Sequence, residues 1–356
     1  MGGAPSRPAT RVMVVGDSIS HGREGDWTWR YRIWQWFRKH NIPVVFVGPH
    51  KGTFPPPPED DRDRDGGYAL DVAQEFLGDC YHYSWWGKQA GQVKDEIGRQ
   101  VATYKPDLCL VELGFNDIGW GVSDPAGTLE SMRALVKEAR TYNQALKFAI
   151  ANVPQRTVVP GLGDVPARVD RYNELLAQAI SDWDQPSSPV ALVHLCENYV
   201  CKEGAYDGLH PGALGEYEIA QAFSRTLMLP AFSLANKSTT ELEIPRPIPA
   251  RALSVPANLK AVASPEGPFG YYQLIITWDL VYGAYAYDIR LQLGRDHSWW
   301  AWSPVRDTRY VLACSPEGHP TPEWKVQVRA TAGDHVRSDN SPVVNVIVRH
   351  EHDLET

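Results

Sequence analysis

Short, continuous, β-branched-rich apolar runs at Val12 to Val15, Val44 to Val47, Leu108 to Leu113, Phe148 to Val153 and Val190 to Leu195 constrain this chain most. Runs without polar alternation are what strands buried on both faces of a parallel sheet require. Helical patterns separate them: Trp29 to Lys39, Gln89 to Thr103, Leu129 to Tyr142, Ala167 to Trp183 and Ala213 to Leu227. Strand and helix in alternation predict a doubly wound α/β domain over 11–228, with its chemistry at the carboxyl ends of the strands.

The period changes after that. Residues 229–255 are rich in Pro, Ser, Thr and charge, including Pro245-Arg246-Pro247-Ile248-Pro249, and read as a semi-rigid linker able to lie on a domain surface. From 256 to 350 period-two runs such as Leu274 to Trp278, Ala286 to Leu291, Trp324 to Ala330 and Val343 to Val348 alternate with turns, which predicts an all-β sandwich. Residues 1–10 read as a flexible leader and 351–356 as a tail. His50 to Cys80, with Pro55 to Pro58 and the mixed-charge run Glu59 to Asp65, reads as an exposed insertion.

Composition excludes several classes. A net charge of −8 argues against nucleic acid or an anionic membrane as the main partner. No run of 18 apolar residues predicts a spanning helix. The first ten residues lack the apolar segment of a secretory signal, which leaves two compartments open: cytoplasmic as the chain stands, extracellular if it is a trimmed mature form. The five cysteines show no zinc spacing, and no His/Asp cluster supports a metal, so neither metal nor cofactor is expected. Cys109 reads as a core residue, whereas Cys196 and Cys201 are close enough for a small disulfide loop. Asn236-Lys237-Ser238 is a glycosylation acceptor pattern.

Three segments carry chemistry. Gly16-Asp17-Ser18-Ile19-Ser20 places a serine on a tight turn after the first apolar run, and Gly114-Phe115-Asn116-Asp117 follows the third. Asp207-Gly208-Leu209-His210 sets a carboxylate three residues before a histidine. A serine hydroxyl is a weak nucleophile at neutral pH and needs a base; the base needs an acceptor that fixes its tautomer. Taken singly, each segment reads better as a turn, a cap or a surface loop.

Those blocks, with Trp86-Gly87 between them, resemble the SGNH (GDSL-type) hydrolases over nearly all of Arg11 to Leu227. The resemblance implies a flavodoxin-like fold with a five-stranded parallel sheet between helices. It implies Ser18 as nucleophile, His210 as base and Asp207 as its orienter, and an oxyanion hole from the Ser18 and Gly87 N–H groups and the Asn116 amide. Fixed donors where negative charge develops are worth about 3–4 kcal/mol each. Trp29-Arg30-Tyr31-Arg32-Ile33-Trp34 followed by Val44-Val45-Phe46-Val47-Gly48 resembles carbohydrate esterase family three, which implies removal of acetyl groups from polysaccharides such as xylan. The aromatic residues Trp85, Trp86, Phe115 and Trp120, with Trp27 beside them, are candidates to line the substrate pocket. His21 reads as a loop residue close to it. Trp34 and Trp36 read as core, and Trp299-Trp300-Ala301-Trp302 as strand packing.

Pro256-Ala257-Asn258-Leu259, Trp278, Tyr287, Val326-Gln327-Val328-Arg329-Ala330 and Ser338 resemble a fibronectin type III domain, with Trp278 between its sheets. The function expected is a serine esterase acting on a small acyl ester, acetyl on a carbohydrate first. A lipid or thioester hydrolase, or an acyltransferase, would share the same intermediate. An adhesion protein with a degenerate hydrolase domain is the reading from another class.

Overall fold

The computed structural model describes residues 8–55, 65–157, 163–264, 272–294, 298–314, 323–333 and 335–347. The start of the leader, the mixed-charge run and the tail therefore lie outside the described residues, apart from their edges. The chain divides into two compact units, the first running to Ala250 and the second beginning at Arg251.

The first unit is built on a parallel sheet. Its strands are β1 (Thr10–Gly16), β2 (Val44–Phe46), β3 (Tyr83–Ser84), β4 (Leu108–Glu112), β5 (Lys147–Ala151) and β6 (Val190–Val193). Five of them run in the order β2-β1-β4-β5-β6, and the two-residue β3 pairs with the end of β1. The sheet thus has one strand more than the five expected. A two-residue strand has no apolar run to announce it, and only its pairing of Val15 with Tyr83 and Gly16 with Ser84 defines it. β4 is buried throughout and Val12 to Val15 of β1 are fully buried, which is why these strands carry uninterrupted apolar side chains.

The long helices are α2 (Thr28–Lys39), α4 (Ala90–Tyr104), α6 (Pro125–Tyr142), α7 (Val165–Trp183) and α10 (Ala213–Leu227). α6 starts four residues before the Leu129 read from the sequence: Pro125 occupies its first turn, and the Asp124 carboxylate accepts the Gly127 N–H at 2.7 Å. Helices too short to show a periodicity join them: α1 (Ser18–His21), α3 (Gln74–Gly78), α5 (Phe115–Gly119), α8 (Leu195–Asn198) and α9 (Cys201–Gly204). Trp34 and Trp36 are buried in one core with Phe37, Phe76 and Phe223.

Residues after α10 pack on this unit. Phe232 and Leu242 are buried, the Trp36 indole N–H donates to the Thr240 carbonyl at 2.7 Å, and the Gln221 amide donates to the Leu242 carbonyl at 2.8 Å. Asn236 caps its own turn, accepting from the Ser238 N–H at 2.8 Å.

The second unit holds two antiparallel sheets around one core. β10 (Ser303–Val305), β9 (Ala286–Leu293), β12 (Glu323–Thr331) and β13 (Val344–Ile347) form one sheet in that order. β11 (Arg309–Cys314), β8 (Tyr272–Thr277) and β7 (Lys260–Ser264) form the other. Inward residues alternate along β8, β9 and β12, so Leu274, Ile276, Ile289, Leu291, Val326 and Val328 meet in the core beside Trp278. The tryptophan cluster is only partly packed: Trp299 and Trp302 flank the Arg290 guanidinium at 4.6 Å each, whereas Trp300 stays 46% exposed.

Among the described residues no helix is long and apolar enough to cross a membrane.

Candidate active site

The site forms where β1 and β4 end side by side, the point at which strand order reverses. Asp17 caps α1, its Oδ1 accepting the Ile19 N–H at 2.9 Å, and so presents Ser18 at the helix start. The turn is tight enough that a Cβ on Gly16 would lie 2.3 Å from the Ser20 hydroxyl oxygen. After β4, Gly114 sits at φ +114°, a left-handed conformation that suits glycine, and turns the chain into α5 with Asn116 in its first turn.

Ser18, His210 and Asp207 come together in a hydrogen-bonded chain. Ser18 Oγ is 2.9 Å from His210 Nε2, and His210 Nδ1 is 2.8 Å from Asp207 Oδ2. The second oxygen, Asp207 Oδ1, accepts the backbone N–H groups of Leu209 and His210 at 3.1 and 2.9 Å. Burial alone would raise the pKa of this carboxyl. The His210 ring and the two N–H groups outweigh it and hold Asp207 below the usual carboxylate range. Two near-parallel rings stack on the imidazole, Trp86 at 4.7 Å and Tyr206 at 5.7 Å between centroids. A chain of this geometry can pass the serine proton to histidine and stabilise the imidazolium formed.

The Ser18 and Gly87 N–H groups make no hydrogen bond within the described residues. Gly87 is left-handed, at φ +74°, and the Trp120 ring lies 3.0 Å from where its Cβ would be. The Asn116 amide is engaged: its Nδ2 donates to the Lys88 carbonyl at 2.9 Å and to Asp17 Oδ2 at 3.2 Å. Asp117 ties the neighbouring helix start, accepting the Ala90 and Gly91 N–H groups at 2.8 and 3.1 Å.

A cleft of about 480 Å³ opens over these groups, lined in part by Ser18, Trp86, Gly87, Phe115, Trp120 and Arg156. Trp85 is a correction: it is not among the lining residues and packs instead on His21 and His50, at 5.0 Å from each ring. Trp85 and Trp86 follow β3 directly, Trp86 already in the turn that the Lys88 N–H closes on the Trp85 carbonyl at 3.1 Å, and the two rings pack on different partners. Trp27 is buried elsewhere, its indole donating to Asp71 at 2.5 Å. His21 is fully buried and outside the cleft; burial, with Arg30 and His50 nearby, keeps it neutral. Cys196 and Cys201 are free thiols rather than a pair. The Cys201 thiol faces the Leu209 carbonyl, while Cys196 sits beside Asn173.

Four contributors escaped the reading of the sequence. Arg30 is buried and donates to the carbonyls of Ser20 at 2.8 Å and His21 at 3.1 Å, pinning the chain after Ser18. Glu112 accepts the Ser20 hydroxyl at 2.7 Å beneath the turn. Tyr206 and Arg156 are the others. Nothing local marks any of them, since each acts through a partner distant in sequence or through a loop. Among the described residues no group of three or more His, Cys, Asp or Glu side chains could hold a metal.

Comparison with known proteins agrees with this architecture. The profile of the GDSL-like Lipase/Acylhydrolase family matches residues 14–217, more than half of the chain, and the protein belongs to that family. A multidomain esterase of Ruminococcus flavefaciens is 25% identical over 216 residues, which is 58% of this chain; the match spans 27% of that relative's length. Two solved structures share the fold of the first unit at 19% identity: an acetyl esterase and a carbohydrate esterase family 3 protein from Talaromyces cellulolyticus. Each superposes with a TM-score of 0.52 over 64% of this chain and all of its own.

Proposed function

We propose that the protein is a serine esterase that removes a small acyl group, acetyl, from a carbohydrate through an acyl-enzyme on Ser18. The observation that carries this is the Ser18–His210–Asp207 chain, at 2.9 and 2.8 Å, opening into an aromatic-lined cleft. Ser18 Oγ attacks the ester carbonyl carbon while His210 Nε2 takes its proton. The tetrahedral oxyanion is held by the Ser18 and Gly87 N–H groups and by the Asn116 amide, whose longer bond to Asp17 is the one the oxyanion displaces. Collapse breaks the C–O bond, and the leaving alcohol takes the proton back from His210. Water, deprotonated by the same nitrogen, then releases the acid and restores Ser18.

Trp86, Phe115 and Trp120 offer ring faces suited to the C–H faces of a sugar, with Trp120 60% exposed at the rim. The names of the two structural neighbours, an acetyl esterase and a carbohydrate esterase, support the same substrate class. For the second unit the sheet orders β11-β8-β7 and β10-β9-β12-β13 support the fibronectin type III reading, as a module accompanying the esterase.

The test is hydrolysis of p-nitrophenyl acetate, butyrate and octanoate, with acetylated xylan in parallel. Preference for acetate and release of acetate from xylan are expected. Preference for octanoate would move the substrate to lipids, and no turnover of any ester would overturn hydrolysis.

A further inference from the structure

Arg156 lines the same cleft as Ser18 and His210, in a wall otherwise made largely of Trp86, Phe115, Trp120, Val165 and Leu209. It makes no hydrogen bond or ion pair among the described residues, and its Nε–H is buried without an acceptor. An N–H buried without a partner is unfavourable, and a guanidinium against apolar walls is more so. Acids of the following helix and of the Ser18 site have other partners. Asp164 pairs with Arg168 at 3.1 Å, Asp170 takes the Gln155 amide at 2.7 Å, and Asp207 holds His210.

The backbone that carries Arg156 is fastened on both sides. Val153 N–H donates to Asn173 Oδ1 at 2.9 Å, and the Gln155 amide donates to the Pro166 carbonyl at 3.0 Å. On the other side the Thr157 N–H donates to the Gly208 carbonyl at 2.8 Å, inside the loop that supplies Asp207 and His210. The backbone is thus fixed at the cleft, and the guanidinium donors of Arg156 make no hydrogen bond among the described residues.

We propose that Arg156 forms an anion subsite of this cleft and selects ester substrates that carry a carboxylate near the scissile bond. The planar fork of an arginine matches a carboxylate with two parallel hydrogen bonds, and binding one would satisfy the buried donor and neutralise the charge together. The inference rests on the esterase reading and narrows its substrate to an acidic one. The carboxylate sits either on the alcohol, as in a uronic acid, or on the acyl group, as in a half-ester of a dicarboxylic acid.

The experiment compares wild type, Arg156→Gln and Arg156→Lys on two matched pairs. One is O-acetyl methyl glucuronoside against O-acetyl methyl glucoside; the other is the succinyl against the butyryl ester of methyl glucoside. Intrinsic reactivity cancels when the charged-to-neutral ratio of kcat/KM is compared between enzymes. The ratio is expected to fall tenfold or more in Arg156→Gln for at least one pair and less in Arg156→Lys, with added salt lowering it in wild type alone of the first two. A fall in the first pair places the carboxylate on the alcohol, and a fall in the second on the acyl group. A smaller change in both pairs overturns the subsite. The neutral sugar acetate reads the esterase proposal separately: its hydrolysis with an unmoved ratio leaves that proposal standing, and no hydrolysis of any of the four esters removes both.

Discussion

Two carboxyl groups close to Ser18 are treated in opposite ways. Asp207 is surrounded by donors: the His210 ring and two backbone N–H groups keep it ionised and below the usual carboxylate range. Asp17 is deeply buried beside a second carboxyl, Glu112, and is pushed up to about 6, chiefly by burial. Glu112 is pushed well above its ordinary value by burial and by the Asp17 charge. One region therefore holds a fixed negative charge against His210, and the other shares a proton between two acids beneath the Ser18 turn. The first suits stabilising an imidazolium. The second suits keeping the turn and the Asn116 amide in place with one negative charge beneath them rather than two.

Removing the pieces of each region should separate these roles. Ser18→Ala leaves no nucleophile, and esterase kcat should fall by at least about 10⁴-fold, read as p-nitrophenolate release. Asp207→Asn puts an amide against His210, removes the charge and favours the wrong tautomer; a fall of about 10³–10⁴-fold is expected with the thermal midpoint little changed. Asn116→Ala should lower kcat by about 10²–10³-fold with little change in KM, the pattern of a donor used in the transition state. Gly87→Ala forces a Cβ onto a backbone at φ +74° and within 3.0 Å of Trp120, and should lower kcat/KM about 10–100-fold.

The smallest effect belongs to the buried acid pair and appears in stability. A carboxyl raised in the folded state binds more protons there than when unfolded, so stability falls as pH rises from the ordinary value of 4.5 for Glu112 toward its folded value. Glu112→Gln keeps an acceptor for Ser20 and supplies a neutral donor to Asp17. Its thermal midpoint should decline less than that of wild type between about pH 5 and 8, by a few °C. Equal slopes in the two proteins would remove the shared proton from the account.

What the sequence disclosed follows from the range over which each feature is built. The five strands of the main sheet order were legible from their apolar runs, which full burial explains in β4 and most of β1 although β2 and β6 are only partly buried, and Asp207 with His210 because three residues bring them together. Glu112 was not, since it ends such a run and meets the nucleophile turn only through the register that sets Gly16 opposite it. β3 and the four- or five-residue helices were too short to show a period. Trp85 and Trp86 carry the same residue type, and only the direction of the backbone separates the one on His210 from the one packed on His21. Arg156 is an ordinary loop arginine in the sequence, and only its place in the cleft, with a buried Nε–H that has no acceptor, sets it apart.

The central claim is a covalent intermediate on Ser18. Its most direct test is labelling with a fluorophosphonate ester, followed by peptide mapping and titration of residual esterase activity. A single adduct on the peptide containing Ser18, with activity falling in proportion to labelling and no adduct in Ser18→Ala, is the result predicted. Full activity in the labelled protein, or an adduct at another residue that accounts for the loss, would contradict it.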